Sequence, residues 1–142
     1  MKKEKHVITV VLAISSDKVR EGIQLLLEME PDISIVGNAT NGIEAIDLVQ
    51  MLRPNILIME LMIGQVGDIK IIKQTTKFSP NTNIIVFSLY DALAYVREVF
   101  HAGAKAYVLK ESKSYELMSA IRKVADGQRY ISPSLSDINS IE

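Results

Sequence analysis

The stretch ILIMELMIGQVGD, residues 56 to 68, decides how the chain folds. Ile56, Leu57, Ile58 and Met59 form an unbroken apolar run that ends on a carboxylate, Glu60, followed by a loop with glycines at 64 and 67. A short apolar run bounded by turn-forming residues reads as a strand buried on both faces, the pattern of a parallel sheet covered by helices on each side. Ligands in such sheets bind outside the carboxyl ends of the strands, so a glutamate at this end sits where chemistry is expected.

Working outward, comparable runs occur at Val7 to Ala13, Ile33 to Gly37, Ile84 to Ser88 and Ala106 to Leu109, and amphipathic segments alternate with them. Ala45, Leu48, Val49 and Leu52 have the spacing i, i+3, i+4, i+7, as do Ala92, Tyr95, Val96 and Val99, and Leu117, Ala120, Ile121 and Val124. Each set makes one apolar stripe on a helix, suited to covering a sheet. Asp17 and Asp91 are placed as N-caps, and Gly103 and Gly127 stand where helices end. Pro31, Pro54 and Pro80 fall in the returns from helix to strand. The pattern predicts an α/β domain: a doubly wound, five-stranded parallel sheet flanked by five helices, flavodoxin-like, spanning residues 1–130. From 131 to 142 the composition turns polar and loses its stripe, which reads as a linker or tail.

The 142 residues suffice for one domain with a proper core. With 16 basic and 17 acidic residues the net charge is -1, so no global field draws the chain to nucleic acid or anionic lipid. The absence of cysteine excludes disulfides, thiolate metal sites and cysteine nucleophiles. The start, MKKEKHVITVVLAISS, has the outline of a signal peptide, but its apolar run is short and β-branched and reads as the first strand. No run is long enough to span a bilayer. The loop GQVGD lacks the lysine of a phosphate-binding loop, and no dinucleotide, triad or zinc pattern occurs. His6 and His101 are far apart, and His101 near a helix end is explained by the helix dipole. Asp17 and Asp68 are explained by helix capping.

The architecture selects Ile14, Ser15 and Ser16 after the first strand, Glu60 after the third, Ser88 after the fourth and Lys110 after the fifth as residues that should converge. At this point the chain resembles the receiver domains of bacterial response regulators, of the NarL/FixJ type, over about residues 7 to 133. The resemblance rests on VREGIQLLLEMEPDISIVGNATNGIEAIDLVQMLRPNILIM, IIVFSLYD, HAGAKAYVLKES and DGQRYISPSL. It implies two acidic residues that bind Mg²⁺, an aspartate that accepts a phosphoryl group, and a Ser or Thr and a Lys that contact the phosphate. Here Ile14 and Ser15 stand where the acidic pair belongs, and Glu60 where the aspartate belongs. Ser88 and Lys110 match the family pattern, and Tyr107 resembles the aromatic residue whose rotamer reports the active state.

These changes alter the electrostatics. Clustered carboxylates recruit a hard cation to relieve their repulsion, whereas a lone carboxylate opposite one ammonium is already balanced. Glutamate also moves the carboxylate by roughly 1 Å, a displacement that can cost about 10²-fold in a positioned reaction. The expectation is therefore an atypical receiver, not an enzyme, with no metal and no cofactor, signalling independently of aspartyl phosphorylation and with no clear claim on a cognate kinase. Glu60 reaches toward Ser88 and Lys110 in partial imitation of a phosphate, or is simply a strand-end ion pair. Another reading is a flavodoxin-like domain whose altered pocket, made more apolar by Ile14, binds a flavin or metabolite. A third is phosphorylation on Glu60 or a nearby serine. The resemblance further implies a cytoplasmic transcription regulator that touches DNA only through a C-terminal helix-turn-helix domain outside this sequence. It also implies a homodimer, to which Tyr95, Phe100, Tyr115 and Met118 would contribute apolar surface.

Overall fold

A computed structural model describes residues 6–61, 67–112 and 114–135, the side chain of Ser114 excepted. Five strands and five helices alternate as β1 (Ile8–Ala13), α1 (Asp17–Glu28), β2 (Ile33–Ala39), α2 (Gly42–Leu52), β3 (Ile56–Glu60), α3 (Asp68–Phe78), β4 (Asn83–Ser88), α4 (Leu93–Ala102), β5 (Ala106–Leu109) and α5 (Ser114–Ala125). A short strand β6 (Tyr130–Ile131) follows. The sheet therefore has six strands, in the order β2-β1-β3-β4-β5-β6, and every pairing is parallel.

The sixth strand corrects the expectation of five. Tyr130 and Ile131 pair with Ala106 and Tyr107. The Ser132 amide then donates to the Tyr107 carbonyl at 3.0 Å, its hydroxyl accepts from the Leu109 amide at 2.9 Å, and Leu135 is buried. The reason is edge satisfaction: without this segment the outer groups of β5 would be unpaired. So the fold runs on to Leu135, and of the expected linker only residues 136–142 lie outside the described residues.

Strand alternation sorts the interior into two layers. Val11, Ala13, Leu57, Met59, Val86 and Tyr107 pack with Ala45 and Val49 of α2, Ile71 and Ile72 of α3, and Val96 and Val99 of α4. Val10, Leu12, Ile14, Ile56, Ile58, Ile85 and Val108 pack with Ile23 and Leu27 of α1 and Leu117, Ala120, Ile121 and Val124 of α5. Period-two strands between helices on both faces give that division.

Helix starts differ from the sequence reading. Ser16 is the N-cap of α1 and accepts from the Val19 amide, with Asp17 one residue inside the helix. A serine cap with an acid in the first turn satisfies both the loose N–H groups and the dipole, so Asp17 is not needed as the cap. α4 begins after Ala92 with no side-chain cap, so Asp91 does not cap it. Asn41 caps α2 through the Glu44 amide, and Glu44 reaches back to the Thr40 amide and hydroxyl. Gly103 closes α4 with φ 129°, and a Cβ there would lie 2.6 Å from Thr76 Oγ1 of α3. Only glycine permits both that backbone and that approach.

Candidate functional site

The chain runs outward from β1 to β2 and then crosses back to β3, so the order reverses between β1 and β3. Crevices at such reversals are where open α/β sheets hold their ligands. Ser15 follows β1 and Glu60 ends β3, and they meet there. Glu60 Oε1 accepts from both the Ser15 amide and the Ser15 hydroxyl, each at 2.5 Å. Glu60 Oε2 accepts from Lys110 Nζ at 2.7 Å. Both carboxylate oxygens thus have partners, in a side chain only 6% exposed.

Burial pushes the Glu60 carboxyl up, but the Lys110 ammonium and the two Ser15 donors outweigh it and hold it below the usual glutamate value. The site is therefore an ionised carboxylate neutralised by one lysine and two neutral donors. Among the described residues no group of His, Cys, Asp or Glu is arranged to hold a metal ion.

Register explains which residues join this group. Glu60 pairs with Phe87, and Phe87 with Val108, so these three share one face of the sheet. Lys110 Nζ lies 5.9 Å from the Phe87 ring. Met59, Val86 and Tyr107 are likewise in register and face the other way. Ser88 belongs with that second set. Its hydroxyl accepts from the Tyr90 amide at 2.9 Å. The Tyr107 phenol donates to the Tyr90 carbonyl at 2.7 Å. Tyr107 is fully buried, and burial pushes its phenol up while Ser88 pulls it down.

The expected convergence is thereby split. Ser15, Glu60 and Lys110 form one group, and Ser88 and Tyr107 form another around Tyr90; Ser88 makes no hydrogen bond to Glu60. Ser16 is spent on capping α1. Ile14 belongs to neither group: its side chain is wholly buried in the α1–α5 layer, and its carbonyl accepts from Arg20 at 2.8 Å. It therefore does not make a pocket more apolar, because strand alternation turns it into the core. Asp68 is the first residue of α3 rather than its cap, and it accepts from the Tyr95 phenol at 2.9 Å. Burial and this carboxylate push the Tyr95 phenol well up.

Two contributors were invisible in the residue types. The Ser15 amide and the Tyr90 backbone act through main-chain atoms, which any residue supplies. Residues 62–66, most of the glycine-containing loop after β3, lie outside the described residues.

Comparison with known proteins now fits this geometry. Residues 10–122 match the family model of the response regulator receiver domain. The chain belongs to that family. This receiver is 35% identical to the oxygen regulatory protein NreC of Staphylococcus carnosus (strain TM300), over 89% of its own length and 59% of that protein's. It is 30% identical to the transcriptional regulatory protein DegU of Brevibacillus brevis, over 91% of its own length and 55% of that protein's. It thus spans a little over half the length of these relatives. A crystal structure of a two-component response regulator of the LuxR family, from Aurantimonas sp. SI85-9A1, superposes with a TM-score of 0.89 at 28% identity, covering 94% of this receiver and 96% of that chain. Among the described residues no helix is long and apolar enough to cross a membrane.

Proposed function

We propose that this receiver is the signalling half of a transcription regulator and works without aspartyl phosphorylation, through contacts with a partner or a second copy. What supports the reading is the closure of Glu60: one oxygen is held by Ser15 and the other by Lys110, and no group of three or more His, Cys, Asp or Glu that could hold a metal ion occurs among the described residues. Mg²⁺ requires several oxygen ligands in octahedral array, and an already neutralised carboxylate offers little attraction. An in-line attack on a phosphodonor needs a free carboxylate oxygen in the right place, whereas both here are engaged.

The direct test is mass spectrometry after incubation with acetyl phosphate and Mg²⁺. No phosphoryl adduct is expected on the native chain. A double variant, Ser15→Asp and Glu60→Asp, which restores acids at the two positions that meet in the site, is expected to gain one. A stoichiometric, Mg²⁺-dependent adduct on the native chain would overturn the proposal.

Self-association is part of the same reading. Leu25 of α1, Met29 at its C-cap and Tyr115 of α5 are exposed apolar side chains, and a shallow cleft joins Met29 to Tyr115 and Met118. Tyr95 and Phe100 are instead partly packed against the core. The α1–α5 side is thus the favoured dimer face. Light scattering is expected to give a dimer at high concentration, lost in Leu25→Glu. The family resemblance assigns DNA contact in the whole regulator to a C-terminal helix-turn-helix domain, and this chain's net charge of -1 gives it no global attraction to DNA of its own.

A further inference from the structure

A second cleft lies away from Glu60 and meets the α1–α5 side only at Tyr115. The β4–α4 loop, the end of β5, the first turn of α5 and the segment after β6 enclose about 580 Å³. Its walls carry Leu89 and Tyr115, which are 61% and 63% exposed. Between them stand the carboxylates of Asp91, Glu111 and Glu116, and no basic residue lines the cleft among the described residues. Glu116 accepts from the Tyr130 phenol at 3.0 Å. Asp91 and Glu111 take part in no ion pair among the described residues.

We infer that this cleft receives a basic, leucine-bearing segment of a partner protein. An exposed leucine and tyrosine set around carboxylates that form no ion pair among the described residues match a segment that brings lysines or arginines beside apolar side chains. A bare metal ion fits poorly: these carboxylates do not form a group that could hold one, and an ion would leave Leu89 and Tyr115 uncovered. The cleft is also preformed. Leu89 and Asp91 flank Tyr90, whose N–H is held by Ser88 and whose carbonyl is held by Tyr107. A wall fixed before binding lowers the ordering cost of association. The inference rests on the receiver reading only in seeking a protein partner, and the binding test uses no phosphodonor, so the two fail separately.

The test is a titration of the full chain, followed by amide NMR shifts and calorimetry, with a synthetic amphipathic helical peptide of lysines and leucines. An analogue with glutamate in place of every lysine is the control. The lysine peptide is expected to shift the amides of Leu89 to Asp91, Glu111, Tyr115 and Glu116, with affinity falling as salt rises. The double variant Asp91→Lys, Glu111→Lys is expected to bind at least about tenfold more weakly, as two reversed rim charges should produce, with an unchanged melting temperature. Leu89→Ala is also expected to weaken binding, which nonspecific attraction to charge would not show. Undiminished binding by the double variant, shifts confined to Leu25, Met29 and Met118, or equal binding of the acidic analogue would each overturn the inference. So would concentration-dependent shifts of the same amides without peptide, which would assign the cleft to a second copy.

Discussion

The Ser15–Glu60–Lys110 group and the Ser88–Tyr90–Tyr107 group lie at the ends of neighbouring strands, yet they are held by different physics. The first is a charge pair closed by two neutral donors. The second is uncharged and turns on a fully buried ring that grips a backbone carbonyl. Each group's side chains bond within that group. The link between them is a main-chain one, the Lys110 amide donating to the Ser88 carbonyl at 2.7 Å. The lesson is that two polar groups can sit side by side at neighbouring strand ends without sharing a side-chain bond, when strand register sends their side chains to opposite faces.

The largest effect is expected from breaking the charge pair on its cationic side. Lys110→Ala leaves Glu60 nearly buried with no counter-ion, and removing one partner of a buried pair costs about 3 kcal/mol or more. Lys110 is itself 23% exposed, so water enters and the lower end applies. Urea denaturation is the measurement; a loss below about 1 kcal/mol would show that Ser15 alone suffices for Glu60. Glu60→Gln should cost less, because the amide oxygen still accepts from Ser15 and the freed ammonium can reach solvent.

The acid limb of the stability curve separates the two groups next. The folded-state value of Glu60 is depressed, so its contribution is fully present above the ordinary glutamate value, about 4.3, and is lost as pH falls through the folded value. The difference in stability between native chain and Glu60→Gln should therefore shrink on acidification below about pH 4.3. The difference between native chain and Tyr107→Phe should not change over that range, since burial raises the phenol's value far from it. Parallel pH dependence in both comparisons would contradict the separation.

Tyr107→Phe probes the second group alone. It keeps the ring's packing and deletes the bond to the Tyr90 carbonyl, for an expected loss of about 1 kcal/mol. Hydrogen exchange should rise at Leu89 and Tyr90 while remaining unchanged at Ser15.

Much of this was readable from residue types. β-branched runs marked the strands, helical stripes marked the covering layers, and an acid and a lysine at two strand ends marked the charge pair. The sixth strand was not, because Tyr130 and Ile131 are too few to show a period and are recruited by the open edge of β5. The start of α1 was missed by one residue, since serine and aspartate both cap and only the backbone decides. The Tyr90 clamp was hidden for a deeper reason: it works through main-chain N–H and C=O, so the side chain at 90, half in solvent, carries no trace of it.

The smallest expected number is the most discriminating. A double-mutant cycle of Glu60→Gln and Tyr107→Phe measures the energy passing between the groups. Residues without shared partners add within about 0.3–0.5 kcal/mol, and neither side chain here shares a hydrogen-bond partner with the other. The coupling should therefore fall inside that error. A receiver whose switch obeys its acceptor carboxylate must show coupling, because the charge state at one position has to change the ring's energy at the other. If the cycle returned about 1 kcal/mol or more, the main-chain link between Lys110 and Ser88 would be carrying information, and Glu60 would be an input to the switch rather than a closed charge beside it.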